Sequence, residues 1–85
     1  MQNEYIDIMI KNLPVLRAAS TLTQAQLAEK LGVSRQTIVS IETRKRQMPW
    51  SLYLAMICIF EQYNETHELL AKLEMFSSEF IVENL

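Results

Sequence analysis

Backbone breakers and reactive side chains are scarce in this chain: its 85 residues include one Gly, two Pro, one Cys and one His. So little Gly and Pro argues against disorder and long loops. A single thiol cannot form an internal disulfide, and no Cys/His group has metal-ligand spacing, which points to a metal-free protein of a reducing, cytoplasmic compartment. Catalytic constellations are missing as well. His67 lies among Glu65, Thr66 and Glu68 with no nucleophile beside it, and there is no Gly-rich phosphate loop. His67 therefore reads as a solvated surface residue, and neither an enzymatic role nor a cofactor is expected. The longest nearly apolar run, Trp50–Phe60, falls short of the about 20 residues that cross a bilayer. Glu4 and Asp7 stand where a secretory signal would carry basic residues. Neither a membrane span nor export is expected.

What is present suits a small helical bundle. Apolar residues make up 49% of the chain, and a single domain of this size buries roughly 60–65% of its unfolded surface. Such a core is marginal alone, and part of the apolar content could be reserved for a partner chain. The net charge of −2 conceals an asymmetry. Residues 1–50 hold seven Lys or Arg against four Asp or Glu, a net +3, whereas residues 51–85 hold one Lys against six Glu, a net −5. A molecule polarised in this way can offer its basic end to a polyanion and turn the acidic end away.

The densest information lies in residues 23–42, TQAQLAEKLGVSRQTIVSIE. Thr23 and Ser34 each place a hydroxyl where it can accept from the first free N–H groups of a helix, marking helices over about 24–31 and 34–42. Gln26 can bond back to the first cap and complete a capping box. Ala25, Leu27, Ala28 and Leu31 form one apolar face, and Gly32 can take φ > 0 just past its end. Ala28 is small enough for a second helix to cross at the usual separation of about 8–10 Å. Ile38 and Ile41 share a face and can pack with Val33 against the first helix. Two short helices joined by one tight turn make a helix-turn-helix. The opposite face of the second helix presents Arg35, Gln36, Val39 and Ser40, with Thr37 at its margin. Arg35 suits bidentate contact with guanine and Gln36 with adenine, each discriminating by about 1–3 kcal/mol. Val39 can meet a thymine methyl, and Ser40 can bond a base edge. These four are the base-contact candidates.

With these residues in place, the chain resembles the phage-repressor family of helix-turn-helix proteins (Xre or Cro-like) over roughly residues 13–60. Leu16-Arg17-Ala18 followed by Leu22-Thr23-Gln24 is similar to that family's first helix and the passage into its second. Ser34-Arg35-Gln36-Thr37-Ile38 followed by Ile41-Glu42 is similar to its recognition helix, and Met48-Pro49 to the start of its fourth. The resemblance implies an all-α fold: a compact bundle of about five short helices forming a lambda-repressor-like DNA-binding domain. It also implies an ion pair between Arg17 and Glu42. One departure is visible, since Thr43-Arg44 stands where many relatives carry Asn-Gly, so a helix stop that usually uses φ > 0 lacks its Gly.

Arg44, Lys45 and Arg46 follow the recognition helix, where this motif's geometry runs the chain alongside the DNA backbone, and phosphate contact is their expected role. Gln24 opens the first motif helix, where its amide and the free N–H groups can hold a phosphate oxygen. It could also brace Gln36. Thr23, Ser34 and Thr37 complete the phosphate-contact candidates.

A single motif spans few base pairs, and such domains bind as two-fold dimers on half-sites about one helical turn apart. The expected partners are thus a double-stranded DNA operator with an inverted repeat and a second copy of the chain. Trp50–Phe60 is apolar nearly all round, as in a helix contacted on more than one side. Leu69, Leu73, Phe76 and Phe80 form a stripe along a C-terminal helical tail. Trp50, Tyr53 and these four are candidate dimer-interface residues, with packing on the bundle as the alternative. Cys58 reads as a small buried hydrophobe and Met48, Met56 and Met75 as core fillers. Upstream, Tyr5, Ile6, Ile8, Met9, Ile10 and Leu13 fit neither helical nor strand period cleanly, and Pro14 suits a first helical turn. The first helix is therefore expected from near Asn12. The organisation is an N-terminal extension (1–11), a helix-turn-helix domain (12–63) and a helical tail (64–85). The functional expectation is a sequence-specific transcriptional regulator, most simply a dimeric repressor. A protein-interaction module, such as an antitoxin or anti-repressor component, or a restriction-modification controller, is the alternative.

Overall fold

Apolar spacing, not proline, decides where the first helix begins. In the computed structural model, which describes residues 2–73, helix α1 spans Gln2–Ala19 and carries Pro14 inside it. Ile6, Met9, Ile10, Leu13 and Leu16 recur every three or four residues, and Met9, Leu13 and Leu16 are fully buried. Pro14 removes the N–H that would reach the Ile10 carbonyl, a defect costing about 3 kcal/mol. Burying each large apolar side chain contributes about 1.5–3 kcal/mol, so this face outweighs the defect. The expected start near Asn12 is therefore overturned: residues upstream of it share the helical face that Leu13 and Leu16 continue. Asn12 itself donates from Nδ2 to the Ile8 carbonyl at 2.8 Å.

Helices α2 (Gln24–Leu31) and α3 (Arg35–Glu42) match the motif helices read from the sequence. Thr23 and Gln26 form the capping box, with the Gln26 N–H donating to Thr23 Oγ1 at 3.0 Å and the Thr23 N–H to Gln26 Oε1 at 2.9 Å. Ser34 Oγ accepts the Thr37 N–H at 3.1 Å. Leu27, Ala28, Ile38 and Ile41 are buried, with α2 packed on α3 and α4 and α3 packed on α1. Ala28 thus has the close packing that its size permits.

Helices α1, α2 and α3 all end in the same hydrogen-bonded reversal, in which one left-handed residue turns two N–H groups back onto the last turn. In α1 the Leu22 N–H reaches the Arg17 carbonyl at 2.9 Å and the Thr21 N–H reaches Ala18 at 3.1 Å, with Thr21 at φ 58. In α2 the Val33 N–H reaches Ala28 at 3.0 Å and the Gly32 N–H reaches Glu29 at 3.2 Å, with Gly32 at φ 73. In α3 the Lys45 N–H reaches Ser40 at 2.9 Å and the Arg44 N–H reaches Ile41 at 3.1 Å, with Arg44 at φ 62. The missing Gly after Glu42 leaves the reversal intact, because Arg44 adopts the left-handed conformation itself.

Helix α4 (Trp50–Phe60) follows Pro49 and buries Tyr53, Met56, Ile57 and Phe60, while Trp50 stacks on Tyr53 with ring centroids 4.6 Å apart. Helix α5 (Asn64–Lys72) is locked to the end of α4 by the buried Thr66, whose hydroxyl donates to the carbonyls of Phe60 and Tyr63. Through Leu70 it packs on α1 and α4, so the start of the tail is the fifth helix of the bundle. Several sequence expectations change here. Tyr53 is fully buried in the chain's own core and offers nothing to a partner. Leu69 and Leu73 are partly buried against that core, and Cys58, expected inside, is exposed. Met75, Phe76 and Phe80 lie outside the described residues. Among the described residues, no helix is long and apolar enough to cross a membrane.

Left-handed backbone in a non-Gly residue costs about 1–2 kcal/mol, offset in part by the chain entropy that Gly adds when unfolded. Thr21→Gly should therefore raise unfolding free energy in urea by about 0.5–1 kcal/mol. Gly32→Ala, whose Cβ would meet nothing within 4 Å, should lower it by about 1 kcal/mol through backbone strain alone. A stability loss in Thr21→Gly would contradict this account of the reversals.

Candidate nucleic-acid interface

The far end of α3 is held by a largely buried ion pair. Arg17 donates from Nε to Glu42 Oε2 at 2.7 Å and from Nη2 to Oε1 at 3.1 Å, a bidentate arrangement. The two side chains are only 18% and 9% exposed. Arg17 Nη1 also donates to the Leu22 carbonyl at 3.4 Å, and Gln24 Nε2 to Glu42 Oε1 at 3.5 Å. One carboxylate thereby ties the last turn of α3 to the end of α1 and the first residue of α2.

The contact continues outward to the exposed face of α3. Gln24 Oε1 accepts from Arg35 Nη2 at 3.4 Å, whereas Gln36 Nε2 donates to Ser40 Oγ at 3.3 Å. Gln24 braces Arg35, not Gln36 as the sequence suggested. Successive helical residues point about 100° apart, so the two neighbours cannot both face the start of α2. Arg35 and Gln36 are exposed, while Thr37, Val39 and Ser40 are half-buried beside them. Guanidinium, amide, hydroxyl and a branched methyl pair thus lie along one face, opposite the buried Ile38 and Ile41.

At the start of α3, Ser34 Oγ and Thr37 Oγ1 share a hydrogen bond of 2.9 Å, and Arg46 Nη1 donates to Thr37 Oγ1 at 3.4 Å. The loop after α3 therefore returns toward the beginning of that helix. The basic triplet divides: Arg46 reaches α3, Lys45 is exposed, and Arg44 Nη1 pairs with Asp7 Oδ1 of α1 at 2.6 Å. Sequence reasoning missed both Asp7 and the Arg46 contact, and local spacing holds no signal for a pair 37 positions apart. Away from this face, His67 Nδ1 lies 2.6 Å from Glu61 Oε2 at the α4–α5 corner. Among the described residues, no three His, Cys, Asp or Glu side chains come together as a metal site.

Comparison with known proteins agrees with this geometry. The model of the helix-turn-helix domain family matches residues 13–62, from within α1 to just beyond α4. Over 37 residues the chain is 57% identical to an uncharacterised HTH-type transcriptional regulator of Methanocaldococcus jannaschii, a match covering 44% of this chain and 56% of that protein. The chain thus spans little more than half the length of that curated relative. No solved structure matches significantly.

Removing one partner of a largely buried ion pair leaves the other charge without compensation. Arg17→Leu should cost about 2–4 kcal/mol of unfolding free energy. Adding Glu42→Leu should restore much of that loss, because no isolated carboxylate then remains. Urea denaturation of the two single variants and the double variant measures both; losses that simply add would argue against the coupling.

Proposed function

The chain belongs to the helix-turn-helix domain family, and from that footing we propose that it is a sequence-specific, double-stranded-DNA-binding transcriptional regulator. In the finer reading it is a dimeric repressor of the Xre or Cro-like type, with α3 lying in the major groove of an inverted-repeat operator. The observation that carries this is the exposed face of α3. Its core side is fully engaged, its position is clamped through Glu42, and its outer side presents Arg35 and Gln36 beside Val39 and Ser40. Arg35 and Gln36 are the bidentate readers, Val39 and Ser40 complete the base contacts, and occupancy of the operator blocks transcription.

The flanks supply the charge. Lys45 and Arg46 stand exposed next to α3, and Thr23, Gln24, Ser34 and Thr37 lie at the N-terminal ends of the two motif helices, where free N–H groups favour a phosphate oxygen. Residues 51–85, with one Lys against six Glu, keep the remainder of the surface from adhering indiscriminately to DNA. With Tyr53 in the core, the two-fold contact falls to the partly buried Trp50, Leu69 and Leu73. The reading assigns the protein no catalytic step, cofactor or metal.

Selection from a random-sequence duplex library, followed by anisotropy over a range of salt, tests the proposal. An enriched inverted repeat is expected, with log affinity falling by about 0.9 per neutralised phosphate against log salt. Arg35→Ala and Gln36→Ala should each relax choice at one base pair by about 1–3 kcal/mol. Lys45→Ala and Arg46→Ala should weaken all sequences alike and flatten the slope by about 0.9 each. Weak binding with no enriched site would sink the proposal and favour a protein-partner role.

A further inference from the structure

The ion pair between Arg44 and Asp7 joins a segment inside the helix-turn-helix match to one outside it. Arg44 follows α3 in the basic loop, whereas Asp7 lies in the first half of α1, upstream of residue 13, where the match to the helix-turn-helix domain begins. The pair is short, 2.6 Å, and both side chains are more than half exposed, at 51% and 62%. It borders an open cavity of about 340 Å³ lined also by Asn3, Ile6, Gln47 and Met48, so the guanidinium has room to leave the carboxylate. Of its neighbours in the loop, Arg46 bonds Thr37 on α3 and Lys45 is exposed.

Resting on the DNA-binding reading above, we propose that Asp7 is an affinity-limiting residue that withholds Arg44 from the DNA backbone. Three observations lead there. First, Arg44 is held at the left-handed position of the α3 reversal by two backbone hydrogen bonds, so the root of its side chain is fixed beside the loop that meets phosphates. Secondly, an exposed ion pair is weak and salt-screened, so it competes with a phosphate on comparable terms instead of locking the arginine away. Thirdly, phosphate contacts supply essentially all of non-specific affinity, so one cation held back lowers adhesion to unrelated DNA while the base-reading face of α3 is left untouched. Asp7 acts through Arg44 and touches no base.

A double-mutant cycle on the full chain tests this, with a labelled mixed-sequence duplex as the probe and anisotropy read from low to physiological salt. Asp7→Asn should bind about two- to fivefold more tightly at low salt, and its log–log salt slope should be steeper by about 0.9. In an Arg44→Gln background the same change should have no such effect, because the arginine it would release is gone. Thermal melts of all four proteins confirm that they are folded. An unchanged or weaker Asp7→Asn, or an equal gain in both backgrounds, overturns the role of Asp7 while leaving the DNA-binding reading standing. Failure of the parent chain to bind any duplex, including the library-selected one, overturns both.

Discussion

The carboxylate of Glu42 is where three helices are made to agree. It receives two donors from Arg17 at the end of α1 and one from Gln24 at the start of α2, while belonging itself to the last turn of α3. Hydrophobic contact alone would allow α3 to rotate or slide against its neighbours at modest cost, because apolar packing has little directionality. A bidentate guanidinium–carboxylate pair has a fixed plane and a narrow range of lengths. At 18% and 9% exposure the pair is poorly solvated, so breaking it leaves a charge that water does not readily rescue. The orientation of Arg35 and Gln36 depends on that restraint, and Gln24 extends it outward to the Arg35 guanidinium.

Around this clamp the chain reverses three times with a single Gly. Only Gly32 adopts φ > 0 freely; Thr21 and Arg44 do so as ordinary L-residues, and for a β-branched Thr the conformation is strained. The strain persists because each reversal delivers an apolar or functional group to a defined place. At the first it sends Leu22 into the core, and at the third it sets the root of Arg44 beside Asp7. The same reasoning covers Pro14, whose missing hydrogen bond is tolerated because Met9, Ile10, Leu13 and Leu16 bury a continuous face across it. At Thr21, which sends Leu22 into the core, and at Pro14, tertiary burial outweighs a local preference, as it does wherever several kilocalories of packing oppose one or two of backbone strain.

How much was legible in the sequence depended on the distance over which each contact acts. The caps at Thr23 and Ser34, the reversal at Gly32, and the faces of α2 and α3 are settled by residues within one or two turns of one another, so spacing reveals them. The Arg17–Glu42 pair, 25 positions apart, was available through family resemblance and not through local chemistry. Helix α4 was recognisable as a helix but not as an oriented one. With apolar residues on nearly every side it holds no amphipathic signal to say that Tyr53 turns inward and Cys58 outward. The start of α1 follows the buried face of Met9, Ile10, Leu13 and Leu16, which overrides the preference of Pro14 for a first helical turn.

By itself, then, the sequence determined the helical class, the helix-turn-helix and the side chains on its outer face, because short-range hydrogen bonding and a 3.6-residue period leave those few alternatives. Only the tertiary structure decided which groups those side chains meet: Gln24 with Arg35, Arg46 with Thr37, and Arg44 with Asp7. Such contacts form between residues brought together by the packing of whole helices. Small differences in crossing and rotation, invisible to any local pattern, choose one partner over another.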